Sequence, residues 1–483
     1  MPKDLRTFIS QVEEAYPDTY LKTSHEVDPR FELTGVLRKF QDANQFPMVL
    51  FEDVKGCEVP VLGNALGSRD RLALLFDTDS KGLARAYDER QGTKIPPEIV
   101  ETGPVKEVVQ TGDEIDVTKI ANIVHCGDDA GEYISSGVTV AKDPDNGAYN
   151  AGIYRIQVVG PNELRLDPGQ YSHIWHLHHK HEQRDEPLEV AIVIGHYPSM
   201  YMASQYRGPL EVDEIEVAGG LANEAVRMCP AETLDLMVPA DAEIVIEGRM
   251  LPHVRKDEGP FGEFSWYLGP GHPAHVVEVT AVTRRADAIY QDVFNAHPEH
   301  NLIGMVGREA NMLAKVRAVV PTVKSVCMPF SACCRFATYV SIEKEYDGQG
   351  RNAALTALGA DPFVKLAVIV DEDIDPYNET QVMWAVATRV RADKDVMIIP
   401  ESYTCELDPT AYSIEDDTKN GALNAKWIID ATKPVGLPFQ KLADVPEEVW
   451  REIDLAEFFP AGTGAGAARA SDVQPQLVGA EQS

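Results

Sequence analysis

The chain has 483 residues, of which 44% are hydrophobic and 25% are charged, an ordinary composition for a globular protein of two or three domains. Acidic residues outnumber basic ones by 77 to 44, and the formal net charge of −33 argues against nucleic acid or an anionic membrane as the main partner. No apolar run is long enough to span a bilayer, and Met1–Glu14 lacks the apolar core of a signal peptide, so we expect a cytoplasmic protein.

The first 110 residues predict a small domain of mixed helix and strand. Apolar residues at helical spacing predict an amphipathic helix near the N-terminus: Leu5, Phe8, Ile9 and Val12. A strand is predicted over Pro47–Val54, and mostly helix over Leu62–Tyr87. Glycine and proline are concentrated in Gln91–Pro104, which is typical of a linker, so we place a domain boundary near residue 110.

Residues 111–310 predict a domain rich in strands. The candidate strands are Gly137–Ala141, Ile153–Val159, Val190–Gly195, Glu243–Glu247 and Val276–Thr283. Turn signals at Asp145–Gly147 and Gly160–Asn162 separate neighbouring strands. Many short strands with few helices favour a barrel or a closed sheet.

Residues 311–458 predict a second α/β domain. A buried strand at Phe363–Val370 is followed by Asp375 and Pro376, which predict the N-cap and the first residue of a helix. A further strand at Val396–Pro400 completes a βαβ pattern. Residues 459–483 are rich in alanine, glycine, serine and glutamine and predict a disordered tail.

Several common signatures are missing from the sequence. It contains no GxSxG elbow, no P-loop and no HExxH motif, and its seven cysteines include no CxxC pair. The glycine-rich stretch Gly462–Gly466 lies in the predicted tail and follows no strand, so its context argues against a dinucleotide site.

Two polar clusters have both a functional and a structural interpretation. Five histidines lie within His173–His181. They can form a metal site or the polar edge of a strand and loop, and the residues alone leave both interpretations open. The acidic run Asp371–Asp375 follows a strand, and capping preference favours a loop that ends at a helix N-cap over a magnesium site.

Two further segments carry groups suited to acid–base chemistry. The sequence EGPFGE at Glu258–Glu263 places two carboxylates around a sharp turn, where both can face one cavity and repulsion can raise the pKa of one of them. The sequence NAGIYR at Asn150–Arg155 brings an amide and a guanidinium onto one extended stretch, and arginine is well suited to hold a substrate carboxylate. Taken alone, EGPFGE is equally compatible with a charged surface hairpin, and NAGIYR by itself is merely a strand with an exposed arginine.

In combination, these segments resemble the UbiD family of prenylated-FMN-dependent decarboxylases. Five stretches occur in family order over roughly residues 5–450: NAGIYR at Asn150–Arg155, Ser172–His173, DEIEVAGGL at Asp213–Leu221, EGPFGE at Glu258–Glu263, and the segment Val364–Arg389. The resemblance implies an α/β N-terminal domain (1–110), a split β-barrel cofactor domain of the flavin-reductase type (111–310) and a C-terminal α/β oligomerisation domain (311–458). It also implies homodimers or larger multiples of dimers, and a flavin prenyltransferase that supplies the cofactor.

The resemblance assigns site residues position by position. The implied metal ligands are Asn150, His173 and Glu214, which suit Mn²⁺ or Mg²⁺, and K⁺ is a further candidate cation. The implied contacts to prenylated FMN are Asn150, Ile153, Tyr154, Arg155, Ser172, His173, Glu214 and Lys365. The implied catalytic residues are Arg155, which orients the substrate carboxylate, Glu258, which holds Arg155, and Glu263, which donates the proton. Some family members carry Asp where this chain has Glu263, and either carboxyl can transfer a proton.

The implied reaction is the reversible, non-oxidative decarboxylation of an aromatic or heteroaromatic acid. The substrate pocket is predicted to include Asn295, His297 and His300, whose polar groups favour a heteroaromatic or hydroxylated ring, although they are also suited to capping a loop. A polyprenyl-hydroxybenzoate of quinone biosynthesis is an alternative substrate that would call for a more apolar channel. Two other classes stay open: a flavin-free metal-dependent hydrolase built on His173–His181, and a dimeric scaffold without cofactor.

Overall fold

The computed structural model describes residues 2–120, 122–169, 172–411 and 422–458. Within them the chain forms two compact units. The first contains most of the chain up to Ala314, together with Phe330–Arg335 and a segment that begins at Cys405. The second contains Lys315–Pro329, Phe336–Thr404 and the chain from Leu423 onward. The predicted tail, 459–483, lies outside the described residues, and the boundaries predicted near residues 110, 310 and 458 stay a prediction.

The first unit combines four sheets with short helices. Its N-terminal strands are β1 (Tyr20–Thr23), β2 (Met48–Phe51), β3 (Val61–Gly63), β4 (Glu98–Ile99) and β5 (Val108–Thr111). Its remaining strands are β6 (Glu132–Ile134), β7 (Val138–Lys142), β8 (Tyr149–Ile153), β9 (Arg155–Val158), β10 (Glu163–Asp167), β11 (Leu188–Ile194), β12 (Arg227–Pro230), β13 (Met237–Pro239), β14 (Ile244–Glu258), β15 (Phe261–Gly262), β16 (Leu268–Gly269), β17 (His272–Arg284) and β18 (Tyr290–Gln291). The second unit contributes β19 (Val323–Cys327), β20 (Ala337–Ile342), β21 (Leu366–Asp371), β22 (Val396–Thr404) and β23 (Ala422–Ala431).

The helices are short and are distributed along the whole chain. Those up to residue 319 are α1 (Leu5–Ala15), α2 (Glu32–Asp42), α3 (Arg69–Leu74), α4 (Leu83–Gln91), α5 (His173–Glu182), α6 (Pro198–Ala203), α7 (Glu214–Ala222), α8 (Pro298–Ile303) and α9 (Val306–Val319). The later ones are α10 (Gln349–Ala360), α11 (Glu379–Arg389), α12 (Ala392–Asp395), α13 (Glu447–Trp450) and α14 (Leu455–Phe458). No helix among the described residues has the length and apolar character needed to cross a bilayer.

The centre of the first unit is a nine-stranded antiparallel sheet. Its strand order is β6-β9-β10-β17-β14-β11-β7-β8, and β5 pairs with β17 beside this path. The apolar side chains of β7, β9, β10, β11, β14 and β17 join one buried core with residues of the N-terminal part of the chain. The expectation of a domain rich in strands is therefore confirmed, and each of the five predicted strands overlaps an observed one.

Both turn predictions in the central sheet are confirmed. Between β7 and β8, Gly147 adopts a φ of +78° and its amide donates to the carbonyl of Asp143 at 2.9 Å. A side chain with a Cβ is disfavoured at such a φ, which explains the glycine at this point of the turn. The second turn joins β9 to β10, where the amide of Val159 donates to Glu163 at 3.2 Å.

Helix α1 confirms the amphipathic prediction. The side chain of Asp4 accepts from the amide of Thr7 at 2.8 Å and caps the helix. The four residues that the spacing assigned to the apolar face are the four that are buried. The segment predicted as mostly helical is less regular, because it begins with strand β3 and contains two short helices, α3 and α4.

The histidine-rich segment is a helix, so the interpretation as a strand-and-loop edge was wrong. Ser172 caps α5, with its hydroxyl accepting from the amide of Trp175 at 3.2 Å. The capping serine offsets the modest helix propensity of the histidines that follow. Ile174 and Leu177 are buried on the face of α5 that packs against the central sheet.

The second unit contains a five-stranded sheet of order β19-β20-β21-β23-β22. Strands β20 and β21 are parallel and are joined through α10, a βαβ unit that the sequence analysis did not predict. The predicted strand, helix and strand are all present as β21, α11 and β22, but β23 lies between β21 and β22 in the sheet. The helix after β21 begins later than predicted. Its N-cap is Asn378, whose side chain accepts from the amide of Gln381 at 3.2 Å, whereas Asp375 caps the preceding turn through the amide of Tyr377 at 3.0 Å.

Two carboxylates of the acidic run after β21 form ion pairs and hydrogen bonds with basic residues. Arg389, with 2% of its side chain exposed, donates to Asp371 and Asp373, each at 2.8 Å, and a second bond to Asp373 measures 2.9 Å. Lys433 contributes its amide to Asp371 and its ammonium to Asp373, both at 2.8 Å. These carboxylates therefore anchor α11 and the end of β23 to the sheet, and nothing in the arrangement calls for magnesium.

We expect Arg389→Ala to destabilise the second unit by about 3 kcal/mol, because removing one partner of a buried ion pair leaves carboxylates without compensation. The exposed neighbour Arg391, which pairs with Asp395 four residues later, is the matched control, and its alanine variant should lose less than about 0.5 kcal/mol. Hydrogen exchange of the β21 amides measures this local stability. Equal protection in the two variants would contradict the assigned role.

Candidate active site

Four polar side chains from four adjacent strands of the central sheet converge. The strands are β9, β10, β17 and β14, in that order. Arg155 lies directly opposite Asp167 in the β9–β10 pair, and Glu258 lies directly opposite His272 in the β14–β17 pair. Directly opposed residues of antiparallel strands project from the same face. The register of the sheet thus brings one guanidinium, two carboxylates and one imidazole together.

The guanidinium of Arg155 is the centre of this group. It donates from Nε and Nη2 to the same oxygen of Glu258, at 3.1 and 2.7 Å, and from Nη1 to Glu263 at 2.5 Å. Its Nε also lies 3.2 Å from Oδ2 of Asp167, and its Nη2 lies 3.1 Å from Nε2 of His272. The sequence assigned Arg155, Glu258 and Glu263 to one site, and the structure brings all three into direct contact.

Glu263 reaches Arg155 from the hairpin formed by β15 and β16. The turn between these two strands is closed by a hydrogen bond in which the amide of Glu263 donates to the carbonyl of Tyr267 at 3.0 Å. Gly269, on β16, passes directly beneath the ion pair. A Cβ at Gly269 would lie 2.9 Å from Cγ of Glu263 and 3.1 Å from Nη1 of Arg155. The absence of a side chain at this position is therefore what lets the two residues meet.

The charged groups of the site are largely withdrawn from water. The exposed side-chain fractions are 8% for Arg155, 0% for Glu258 and 10% for Glu263. Burial raises the pKa of the Glu263 carboxyl, which the positive charge of Arg155 opposes. For Arg155, burial alone would lower the pKa, but the surrounding carboxylates outweigh it and hold the pKa above its ordinary value. Burial thus favours the protonated form of Glu263, which is the form that a proton donor needs.

Glu258 is further fixed from below by an aromatic pair. The hydroxyl of Tyr133 donates to its other oxygen, Oε1, at 2.8 Å. The ring of Tyr133 packs on Phe261 with centroids 4.6 Å apart, and the Arg155 guanidinium lies 5.7 Å from the centroid of Phe261. Glu258 therefore uses both oxygens structurally, which suits it to hold Arg155 and leaves proton transfer to Glu263.

A second polar group is formed by Asn150, His173 and Glu214. Asn150 lies on β8, while His173 and Glu214 are the first residues of α5 and α7. The buried carboxylate of Glu214 accepts from the Asn150 amide at 3.3 Å and lies 3.1 Å from Nδ1 of His173. The three residues that the sequence analysis grouped as metal ligands are therefore neighbours in space.

This group has the chemistry of a hard-metal site. Its donors are a carboxylate, an imidazole and an amide oxygen, and Oδ1 of Asn150 is buried without a hydrogen-bond partner among the described residues. The hydrogen bond to Glu214 raises the pKa of His173, and burial raises the pKa of Glu214. A divalent cation would take the place of the shared proton and give Asn150 Oδ1 a partner. The residues present fit such an ion.

The remaining histidines of α5 point in different directions. Nε2 of His178 lies 3.1 Å from the carbonyl of Leu251, and its ring packs edge-on against His275. His179 is exposed and stacks on Trp175. Among the described residues, the histidines of this helix form no cluster of three close metal-ligating groups; the group that meets this criterion is Asp167, Glu258 and His272. The histidine repeat is therefore divided between several surroundings.

The predicted pocket residues have unequal roles. His297 is buried and caps α8, with its Nδ1 accepting from the amide of Glu299 at 3.3 Å, and its ring stacks on Phe294. Asn295 donates to the carbonyl of Gly262 at 3.0 Å, beside Glu263. Oδ1 of Asn295 and Nδ1 of His300 are buried without a hydrogen-bond partner among the described residues. Burial lowers the pKa of His297 and of His300 to about 3, so both are neutral near pH 7.

The other predicted cofactor contacts lie on two units. Ile153 ends β8, and Tyr154 follows it with a hydroxyl that is hydrogen-bonded to Ser172. Burial raises the pKa of Tyr154. Lys365 directly precedes β21 in the second unit, where its ammonium lies 5.6 Å from the ring centroid of Phe336. The role of Lys365 stays a prediction.

Sequence reasoning missed Tyr133, Asp167 and His272, all of which touch the Arg155 trio. None of the three stands in a recognisable motif, and Asp167 and His272 are separated by more than a hundred positions along the chain. What joins them is strand register, which a single sequence determines only weakly. An accurate pairing of β9 with β10 and of β14 with β17 would have identified both.

Comparison with known proteins places this arrangement in a family. Three profiles of the 3-octaprenyl-4-hydroxybenzoate carboxy-lyase match in succession: the N-terminal domain at residues 17–91, the Rift-related domain at 98–298 and the C-terminal domain at 301–431. The anhydromevalonate phosphate decarboxylase of Methanothermobacter thermautotrophicus is 32% identical over 89% of this chain and 97% of its own length. The chain belongs to the UbiD family of carboxy-lyases.

Solved structures of the family agree with the fold. The UbiD-class enzyme HmfF from Pelotomaculum thermopropionicum, in complex with FMN, has a TM-score of 0.88 at 37% identity and covers 94% of this chain and 100% of that one. An evolved dimeric form of HmfF in complex with prFMN has a TM-score of 0.85 at 35% identity, covering 95% and 100%. The apo 3,4-dihydroxybenzoic acid decarboxylase of Enterobacter cloacae has a TM-score of 0.86 at 27% identity, covering 95% and 100%.

We expect Gly269→Ala to separate Arg155 from Glu263, because the new methyl group would occupy the space that both side chains now use. The pKa of Glu263 should rise further once it loses the positive charge beside it. A crystal structure of the variant, compared with Gly160→Ala, measures the displacement. A Cβ at Gly160 would meet nothing within 4 Å, so this control should be unchanged. An intact Arg155–Glu263 contact in Gly269→Ala would contradict the prediction.

Proposed function

We propose that this protein catalyses the reversible, non-oxidative decarboxylation of an aromatic or heteroaromatic carboxylic acid with prenylated FMN and a divalent metal. The observation that carries the proposal is the buried contact of Arg155 with both Glu258 and Glu263. The family assignment supports it, as do the HmfF structures with FMN and prFMN. Decarboxylation needs a cation for the carboxylate, an electron sink and one proton donor. In this chain Arg155 offers the cation, and Glu263 beside it offers the proton.

Each member of the trio has a distinct part in the proposal. Arg155 binds the substrate carboxylate through its planar guanidinium, which can share its donors between the substrate and Glu258. Glu258 keeps Arg155 in place, and Tyr133 keeps Glu258 in place. Glu263 delivers a proton from its carboxyl oxygen to the carbon that has lost CO₂, since burial favours its protonated form.

The cofactor would be held by the second polar group and its surroundings. Asn150, His173 and Glu214 would bind Mn²⁺ or Mg²⁺, which in turn neutralises the cofactor phosphate, while K⁺ is a further candidate cation. Contacts from Ile153, Tyr154 and Ser172 complete the part of the proposed site that lies in the first unit. A cofactor contact from Lys365 stays what the family resemblance implies. When bound, prenylated FMN supplies the electron sink for the pair released as CO₂ leaves. Its supply by a flavin prenyltransferase is part of the proposal.

The substrate is proposed to carry polar groups on its ring. Asn295 Oδ1 and His300 Nδ1 are buried polar atoms that lack a partner among the described residues, and a hydroxyl or ring N–H of the substrate can satisfy them. His297 is less suited to this role, because its Nδ1 already caps α8. The polar character of this group is less suited to a polyprenyl-hydroxybenzoate, and the divergent histidines of α5 do not favour a hydrolase.

The wider organisation also belongs to the proposal. The nine-stranded antiparallel sheet supports a split β-barrel of the flavin-reductase type as the cofactor domain over residues 111–310. Assembly through the C-terminal α/β domain, 311–458, into homodimers or multiples of dimers is proposed from the family, as is a cytoplasmic location.

We expect Glu263→Gln to lower turnover by at least about 10²-fold, because the amide keeps the shape of the side chain and removes its transferable proton. The assay uses protein co-expressed with a flavin prenyltransferase, with 3,4-dihydroxybenzoate and furan-, pyrrole- and indole-carboxylates as substrates. Product formed in deuterated buffer reports proton delivery. Glu278→Gln, on the exposed face of β17, is the matched control and should keep wild-type turnover.

Two outcomes would contradict this assignment. Wild-type turnover with normal deuterium incorporation in Glu263→Gln would make Glu258 the candidate acid. A wild-type protein that carries no modified flavin in its visible spectrum and in the mass of its bound molecules would contradict the decarboxylase itself.

We expect His173→Ala to lose divalent metal and most bound flavin together, since the metal would lose one of its three proposed ligands and the cofactor phosphate would lose its neutralising cation. His179→Ala is the control on the same helix, where the exposed ring stacks on Trp175, and it should keep both. Metal analysis and flavin absorbance of the purified proteins give the two occupancies. Full Mn²⁺ or Mg²⁺ occupancy in His173→Ala would exclude this ligand set.

A further inference from the structure

Asp167 and His272 face the Arg155 guanidinium but have no part in the proposed reaction. They come from β10 and β17, between the strands that carry Arg155 and Glu258. Oδ2 of Asp167 lies 3.2 Å from Nε of Arg155 and 3.2 Å from Nε2 of His272. The side chains are 20% and 40% exposed, so they form the more open side of the group.

The Nε2 atom of His272 has two partners that make opposite demands. Arg155 Nη2, at 3.1 Å, can only donate, so it requires a bare nitrogen at Nε2. Asp167 Oδ2, at 3.2 Å, can only accept when ionised, so it requires a proton there. One nitrogen cannot satisfy both partners at the same time. Nδ1 of His272 is buried without a partner among the described residues and offers no alternative.

Protonation decides which partner His272 serves. The hydrogen bond to Asp167 raises the pKa of His272, while burial and the charge of Arg155 oppose this. For Asp167, burial by itself would raise the pKa, but His272 and Arg155 outweigh it and lower the pKa. The charged groups facing His272 are thus Asp167 on β10, Arg155 on β9 and Glu258 on β14. Below its pKa the imidazolium donates to Asp167. Above its pKa the neutral ring has a single N–H, so Nε2 either donates to Asp167 or, in the other tautomer, accepts from Arg155.

The protonation state of His272 affects how a carboxylate ligand binds, because the side chains around Arg155 carry a net negative charge. Asp167, Glu258 and Glu263 surround a single guanidinium, so a substrate carboxylate enters a region that already holds an excess of negative charge. An imidazolium at His272 offsets Asp167 and leaves more of the Arg155 field for the substrate. A neutral His272 lacks that positive charge, and in the tautomer with a bare Nε2 it also occupies one Arg155 donor.

We propose that Asp167 and His272 are positioning residues that control how well Arg155 binds the substrate carboxylate, with the charged His272–Asp167 pair as the receptive state. This inference rests on the proposed function, since it takes Arg155 as the carboxylate site. It assigns neither residue to the chemical step. Binding should therefore weaken as pH rises through the titration of His272, and the loss should appear in KM rather than in kcat.

The same atoms also have the spacing of a divalent-cation site. Ligand atoms of Asp167, Glu258 and His272 lie within 4.8 Å of one another. The Arg155 guanidinium already contacts all three, however, so their ligand atoms are engaged and are not free to surround a metal ion. The geometry therefore favours a proton-controlled pair over a metal site, and a metal here is an outcome that the experiment can detect.

The test uses protein co-expressed with a flavin prenyltransferase, with benzoate as the carboxylate probe. Histidine-selective ¹⁵N NMR follows the titration of His272 in the wild type and in Asp167→Asn. Calorimetry follows benzoate binding between pH 5.5 and 8.5 in the wild type, His272→Gln and Asp167→Asn. His25→Gln and Asp18→Asn, both at exposed positions of the N-terminal part, are the matched controls.

We expect the pKa of His272 to lie above the ordinary histidine value in the wild type and to fall towards that value in Asp167→Asn. Wild-type affinity for benzoate should drop roughly tenfold as His272 loses its charge, the order expected for one unit charge a few ångströms away. His272→Gln should lose most of this pH dependence and keep only the part that Glu263 contributes. The two controls should bind benzoate with the pH dependence of the wild type. With 3,4-dihydroxybenzoate, the variants should change KM more than kcat.

The failures are distinguishable. Benzoate binding with the same pH dependence in His272→Gln and wild type would overturn this inference and leave the proposed function intact. A His272 pKa that is the same in Asp167→Asn and in the wild type would also overturn this inference and leave the proposed function intact. This second result does not depend on whether His272→Gln folds. A divalent cation that binds to the wild type and is lost in His272→Gln would replace the inference with a metal site. No benzoate binding to the wild type at any pH would overturn the proposed function and this inference together.

Discussion

The arrangement of the site depends on one guanidinium that is placed among three carboxylates with little access to water. Arg155 cannot lose its proton under ordinary conditions, so its charge must be matched by its surroundings. Glu258, Glu263 and Asp167 more than match it, which leaves a local excess of negative charge. A buried group of this kind is costly to assemble unless its hydrogen bonds are satisfied, and here Arg155 finds an acceptor for each of its nitrogens.

The rigidity of this group comes from the sheet and not from the side chains alone. Two cross-strand pairs in the antiparallel register carry Arg155, Asp167, His272 and Glu258, so a shift by one residue in either pair would turn a charged side chain to the opposite face. Glu263 arrives separately on a hairpin, over a glycine that leaves room for the ion pair. The site therefore combines a fixed part on the central sheet with one carboxyl on a short hairpin, a division that suits a structural role for Glu258 and proton transfer for Glu263.

The buried polar atoms without partners mark where ligands are expected to complete the structure. Buried polar groups are normally hydrogen-bonded, and exceptions need a reason. Oδ1 of Asn150 is such an atom beside Glu214 and His173, and Oδ1 of Asn295 is another beside the Glu263 hairpin. The first fits a metal ion and the second fits a polar group of a substrate. Both atoms lie in segments that the sequence had already singled out, which links the chemistry of the residues to their geometry.

The sequence by itself determined which elements form locally and which motifs carry chemistry. Apolar spacing predicted α1, and strands overlapping those of the central sheet were recognised, because these signals are contained in neighbouring residues. The trio of Arg155, Glu258 and Glu263 was implied by the family resemblance that the motifs carry. It misplaced the start of α11 and missed α5, since local capping by Asn378 and Ser172 outweighed the pattern that was read. Only the tertiary structure decided that Asp167 and His272 join Arg155, because strand register over more than a hundred residues depends on the packing of the whole sheet and not on any local pattern.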